Sequence, residues 1–333
     1  MKSLWKLETE KLPVQSASSN IPSAAVHKDV VVVGAGLSGL LTAYFLQEEG
    51  LDVLVLEAKE IASGQTERTT AKITSQHGLK YSKLIHTIGR KKAQLYAQAN
   101  EDAIQAYEHL IKAQGIDCEF ERVPAYLYSE EEESVLQKEA EAASSLGIDA
   151  CFTKDTELPF PVTGAVRFQN QACFSPLKFI RHLAPQLEIL EHTQVLSVKG
   201  NRVQTKNGEI FAKKIIIATH YPMRNIPGFY FLRQHQERSY VLALSGCEKI
   251  HGMYYGIDPN GLSLRQAGAY LLLGGSSKRT GQNTFGCAYD KLVQSAKRYF
   301  PESKEVTRWS AQDCMPHDGI PFIGKYSIFT PNL

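Results

Sequence analysis

Residues 29–59, DVVVVGAGLSGLLTAYFLQEEGLDVLVLEAK, decide the fold. The run Val30 to Val33 is apolar on every position, as in a strand buried on both faces of a parallel sheet. A glycine turn follows, then a helix with Leu40, Leu41, Tyr44 and Phe45 among its apolar positions, then a second apolar strand that ends at Glu57. This is a βαβ unit. Gly34, Gly36 and Gly39 sit directly between strand and helix, and Glu57 follows Gly34 by 23 residues. That is close to the spacing of an acid that accepts the hydroxyls of a ribose. Gly34 permits a tight turn, Gly36 lets main chain approach a pyrophosphate, and Gly39 lets helix and strand pack closely. The helix N-terminus then faces the phosphates. A carboxylate at Glu57 repels a 2′-phosphate, which disfavours NADP. NAD and FAD both remain open at this point.

The next stretch separates them. A nicotinamide enzyme usually continues into another βα unit, whereas residues 61–74 read IASGQTERTTAKIT. Thr66, Arg68, Thr69 and Thr70 concentrate hydroxyls and a guanidinium just past the strand, a chemistry suited to a pyrophosphate and a polyol chain. Alone it reads equally as a solvated loop; beside the glycine turn it points to FAD. Further on, residues 193–222 (TQVLSVKGNRVQTKNGEIFAKKIIIATHYP) predict a meander, with turns at Lys199-Gly200-Asn201 and Lys206-Asn207-Gly208. It runs into an apolar strand from Ile215 to Ala218. Residues 308–324 read RWSAQDCMPHDGIPFIG.

Together these four segments resemble, in order, the FAD-dependent oxidoreductases of the D-amino-acid oxidase and glycine oxidase family. The opening SLWKLE and the form ERTTAKIT resemble more narrowly a bacterial subgroup that carries a Rieske 2Fe-2S domain after the flavoprotein part. The resemblance implies an α/β fold in which a Rossmann-like FAD-binding domain is interleaved with an α+β substrate domain on a mostly antiparallel sheet. The implied FAD domain takes residues 27–80, 172–222 and 307–333, and the substrate domain 81–171 and 223–306, after an N-terminal arm of 1–26. It implies FAD contacts from Gly34, Gly36, Leu37, Ser38, Gly39, Glu57, Ala58, Thr66, Arg68, Thr69, Thr70, Ala71, Val195, Ala218, Thr219, Asp318 and Gly324. Family members continue past the position of Asn332-Leu333 with a strand, a glycine-bearing turn and a helix. The expectation is therefore that the chain is truncated, with apolar surface near Ile328 and Phe329. Any 2Fe-2S cluster would belong to the missing domain and not to this chain.

Composition narrows the partners. The chain of 333 residues is 43% hydrophobic and 22% charged, with a formal net charge of +2, too little to argue for nucleic acid or an anionic membrane surface. Without a long apolar run it predicts a soluble, cytoplasmic protein. Its six cysteines fall singly, which suits a reducing compartment. Cys314-Met-Pro-His317 has half of a Rieske ligand spacing but lacks the C-x-H partner, so no metal site is expected. The stretch GGSSKRTG, 274–281, fails as a phosphate loop and reads as a turn. Ser129 before Glu130 to Glu132 reads as a helix N-cap.

The substrate is less legible. In relatives that oxidise amino acids, the position of Asp313 holds an arginine that binds the substrate carboxylate. An aspartate instead pairs with an ammonium, which favours an amine, or serves structure alone. Arg265, Tyr254 and Tyr255 either line the pocket or are a surface arginine and core tyrosines. Lys72 either places an ammonium at the flavin or is solvated. The implied reaction is hydride transfer from a small amine or amino acid to FAD, with oxygen or a Rieske centre as electron acceptor. The alternative is a non-catalytic nucleotide-binding module that keeps the fold.

Overall fold

The computed structural model describes residues 1–9, 26–223, 225–226, 228–282 and 287–326. The fold is mixed α/β and divides into two interleaved units, one of Trp5–Arg68, Pro176–Glu237 and Gln312–Leu333, the other of Met1–Leu4, Thr69–Ser175 and Arg238–Ala311. These seams lie elsewhere than the expected 80, 171, 222 and 306. The shift at residue 69 has a clear cause: Lys72–Ile73 pairs with Ala172–Cys173, which also pairs with Glu121–Arg122. That small sheet draws residues 69–73 into the second unit. Within the expected N-terminal arm, Leu4–Thr9 forms helix α1, in which Leu4 and Trp5 are buried.

The first unit is built on a six-stranded sheet. Strand β1, Val26–Val33, lies between Val53–Leu56 (β2) on one side and Gly208–Ile217 on the other, parallel to both. Ile189–Leu190 extends β2 in the same sense. On the far side the predicted meander appears as Val195–Lys199, Arg202–Thr205 and Gly208–Ile217, each antiparallel to the next. Val30 to Val33 and all of β2 are buried, as continuous apolar runs in a parallel sheet require. Val31, Val33, Leu54 and Leu56 share a core with Val203, Ile210 and Ile215. Helix α2, Leu37–Glu48, connects β1 to β2 and buries Gly39, Leu40, Ala43 and Tyr44. Phe45 is about half exposed.

The second unit carries an eight-stranded sheet in which Met253–Gly256 runs parallel to Ala125–Ser129, while Gly164–Phe168 pairs antiparallel with Ala125–Ser129 and with Ala150–Thr153, and Ser263–Ala267 pairs antiparallel with Met253–Gly256 and with Tyr270–Arg279. The long helix expected from GRKKAQLYAQANEDAIQAYEHLIKAQG forms as Arg90–Gln114 and stops at Gly115, whose φ of +60° is a left-handed cap. Two local expectations need correction. Ser129 ends a strand, and the helix begins only at Glu133; its hydroxyl still accepts the amides of Glu131 and Glu132, so the capping chemistry is present on a bend. Residues 274–279 continue the strand Tyr270–Arg279, because they pair onward from the apolar run, and the turn comes after Arg279.

Candidate functional site

The sheet register brings the key residues of the first unit to one edge. Val33 lies level with Leu56 on one side and Ile217 on the other, so Gly34, Glu57 and Ala218 leave the sheet side by side at the carboxyl ends of their strands. The amide of Gly34 donates to Leu56 O at 2.8 Å, and that of Ala218 to Val33 O at 2.8 Å. This is the crevice where open parallel sheets take ligands. Gly34 has a φ of +110°, and a Cβ there would stand 2.6 Å from the Ala218 carbonyl oxygen. A Cβ on Gly39 would stand 2.0 Å from the Gly34 oxygen, main chain that cannot yield. The two glycines therefore let α2 begin directly over the strand end.

The donors and acceptors at this edge fit the ADP half of a dinucleotide. The Ser38 and Gly39 amides, at the start of α2, have no acceptor among the described residues, as is usual for the first N–H groups of a helix, and a pyrophosphate could take them up. The Leu37 amide donates to Thr66 Oγ1 at 3.0 Å, so Thr66, on the short turn Thr66–Arg68, braces the helix start. Glu57 is half-buried and held from two sides: its Oε2 accepts the Ala35 amide at 2.8 Å and its Oε1 the Lys59 amide at 2.9 Å. A carboxylate fixed this way keeps lone pairs for two vicinal hydroxyls. The Thr193 amide donates to Glu57 O, which draws the chain leading to Val195 beside it. Ala58 and Arg68 are exposed, and Arg68 lies 3.7 Å from Glu67.

Later residues add a polar group that the motifs did not reveal. His220, with a φ of +65°, donates through Nε2 to the Gln312 carbonyl at 2.7 Å. The Gln312 amide donates to Gln65 Oε1 at 2.8 Å, and its side chain donates to Gln236 Oε1. The one sequence signal was adjacency, since Gln65 precedes Thr66 and Gln312 precedes Asp313. Thr219 turns back on itself, its hydroxyl bonding Tyr221 O at 2.8 Å. Asp313 is exposed, and Asp318 closes a turn by accepting the Ile320 amide at 3.0 Å. Gly324 is exposed with a φ of +147°. Ile328 and Phe329 lie outside the described residues. Among those described, no three His, Cys, Asp or Glu side chains gather as a metal site, and none of the six cysteines is in a disulfide.

The second unit holds Thr69, Thr70, Ala71, Lys72 and Arg265. Thr69 Oγ1 accepts the Ala71 amide at 3.0 Å, and Ala71 is buried with a φ of +55°. Lys72 is not solvated: its Nζ donates to Tyr254 O at 3.1 Å and to Ser263 Oγ at 2.7 Å. Burial, with the Arg265 guanidinium adding to it, pulls its ammonium down to about 7. Arg265 is not a surface residue either, being 3% exposed. Tyr254 is buried and stacked on Tyr126 at 4.7 Å, while Tyr255 is exposed.

A parallel sheet with this glycine turn and fixed acid defines a dinucleotide-binding fold of the oxidoreductase type. The chain belongs to the DAO family of FAD dependent oxidoreductases, whose family model matches residues 29–333. It is 35% identical over 322 residues to YhfW of Bacillus subtilis (strain 168), a protein named for a Rieske 2Fe-2S iron-sulfur centre, covering 92% of this chain and 63% of that one. It is 25% identical over 207 residues to gamma-glutamylputrescine oxidoreductase of Escherichia coli (strain K12), covering 57% of this chain and 48% of that one. The chain thus spans about half to two thirds of these curated relatives. Its fold is similar to glycine oxidase from Geobacillus kaustophilus, with a TM-score of 0.73 at 18% identity, covering 91% of this chain and 87% of that one. It is also similar to L-proline dehydrogenase from P. horikoshii, with a TM-score of 0.74 at 16% identity, covering 92% and 87%.

Proposed function

We propose that the chain binds FAD and oxidises a small amine or amino acid. The observation that carries this reading is the edge formed by Gly34, Ser38, Gly39 and Glu57: helix-start amides without an acceptor among the described residues, beside a carboxylate already fixed by two main-chain N–H groups. FAD, when bound, supplies the acceptor for a hydride taken from the carbon next to the amine nitrogen, and the resulting imine hydrolyses in water. The chain's own residues do the rest. Glu57 orients the ribose, the start of α2 holds the phosphates, and Thr66 keeps that start rigid. Lys72, next to the flavin segment in sequence, is the cation assigned to stabilise reduced flavin. With an ammonium pulled to about 7, it gains or loses its proton close to neutral pH.

An aspartate at 313 in place of a carboxylate-binding arginine favours an amine over an amino acid. The electron acceptor is either oxygen or a Rieske centre, the latter supported by the likeness to YhfW. No described helix is long and apolar enough to cross a membrane, in keeping with a cytoplasmic enzyme acting on dissolved substrates. The test is direct. The purified protein is expected to be yellow and to release FAD, not NAD, on denaturation, and a panel of primary and secondary amines is expected to bleach it anaerobically. A yellow, FAD-loaded protein that is bleached by none of them would establish the non-catalytic alternative.

A further inference from the structure

Arg265 is buried in the second unit, and its donors go to main-chain oxygens of the flavin segment. Its Nη1 donates to Thr70 O at 2.7 Å and to Ala71 O at 2.5 Å, Nη1 and Nη2 both reach Phe174 O at 3.4 and 3.3 Å, and Nε bonds Gln266 O at 2.9 Å. A planar fork with five N–H groups suits this task, and an ammonium cannot reproduce it. The segment so gripped needs holding, because Ala71 sits at a left-handed φ of +55° that is strained for a residue with a Cβ. Residue 72 follows immediately. Its amine is received by Ser263, two positions from Arg265 on the same strand face, and by Tyr254 of the neighbouring strand.

We propose that Arg265 is a positioning residue: by clamping the carbonyls of Thr70 and Ala71 it fixes the strained turn that delivers Lys72 to Tyr254 and Ser263. The groups that face Lys72 agree with this. From the strand Ser263–Ala267 it meets the like charge of Arg265. From Ala172–Cys173 it meets the Cys173 thiol, which burial pushes up and which therefore stays neutral near pH 7. From Met253–Gly256 it meets a main-chain oxygen, while the Tyr254 phenol points to Glu157. Thus the turn places the amine among neutral oxygens beside a cation, where its proton is weakly held. That Lys72 then acts on a flavin rests on the function proposed above; that Arg265 positions Lys72 does not.

The experiment is competitive acetylation with trace acetic anhydride across about pH 5 to 10, reading the Lys72 peptide by mass spectrometry in the full chain. In the wild type the Lys72 midpoint is expected at about 7. R265M removes the charge and the fork, and R265K removes only the fork. Both are expected to raise the midpoint by about one unit or more, a tenfold change in proton affinity, as the loosened turn lets the amine hydrate. An R265K protein that folds and titrates as the wild type would overturn the proposal, since charge alone would then account for the site. Should R265K not fold, A71G is added, because glycine adopts the left-handed turn without strain. Recovery of the fold with a raised midpoint supports the clamp, and failure to recover makes Arg265 a core strut and overturns it. The labelling reads Lys72 with or without flavin, so a failed flavin reading is separately visible as a colourless protein.

Discussion

Under the proposed function, a single carboxylate at Glu57 joins two tasks. It closes the βαβ unit on itself through the Ala35 and Lys59 amides, and it is the residue assigned to the ribose. Glu57→Ala removes a charge-assisted acceptor, and FAD affinity is expected to fall by about 1.5 to 3 kcal/mol, roughly ten- to more than a hundredfold, in equilibrium dialysis. Unchanged affinity would place the ribose elsewhere. Gly39 makes a sharper case because its obstacle is main chain. Gly39→Ala puts a methyl 2.0 Å from the Gly34 oxygen, so α2 must lift from the turn. The expected cost is at least about 1 to 3 kcal/mol of stability, with loss of the pyrophosphate site. Gly64→Ala is the control, since nothing lies within 4 Å of the added carbon. If both variants bind FAD alike, close packing at Gly39 is not what the site requires.

At the level of elements, helix Tyr81–Ile88 shows a start that no local residue provides. Its amides at Lys80, Tyr81 and Ser82 donate to the carboxylate of Glu139, at 2.7, 2.7 and 3.0 Å, and Glu139 is 1% exposed on the helix Glu133–Ser145. Glu139→Ala would leave three buried-side donors without their acceptor. A loss of about 1.5 to 3 kcal/mol is expected from urea unfolding, with Glu139→Gln recovering part of it. A change within about 0.5 kcal/mol would mean that water takes over the amides. The contrast with Ser129 explains what could be read from sequence. Capping within three residues leaves a local signature, and Ser129 does accept Glu131 and Glu132 although the helix starts later. Capping across 57 to 59 residues leaves none. The same holds for the site: Gly34, Gly39 and Glu57 lie within one unit of sequence and were legible, while the Arg265 clamp on Thr70 spans 195 residues. Nothing in LSLRQ distinguishes a guanidinium turned inward from one in water.

For the whole molecule the buried titratable groups set opposing slopes of stability against pH. The Lys72 ammonium is pulled from 10.5 to about 7, so between those values the unfolded chain holds a proton that the folded chain has released. Stability therefore rises with pH through that window, by at most about 1.4 kcal/mol per unit for one proton. Buried tyrosines act in the other direction. Burial pushes the phenols of Tyr81, Tyr128 and Tyr254 above their ordinary value of 10.0. Above that pH the unfolded chain loses protons that the folded chain keeps, and stability falls. A maximum on the alkaline side, between about pH 9 and 10, follows from the two together. Lys72→Met removes the first slope and leaves the second, so it should stabilise the protein most at pH 7 and progressively less toward pH 10. Denaturant midpoints of both proteins, measured in the same state of flavin loading, check this. An equal difference between them at every pH would mean that the Lys72 amine keeps its ordinary proton affinity and is not enclosed between Tyr254 and Ser263.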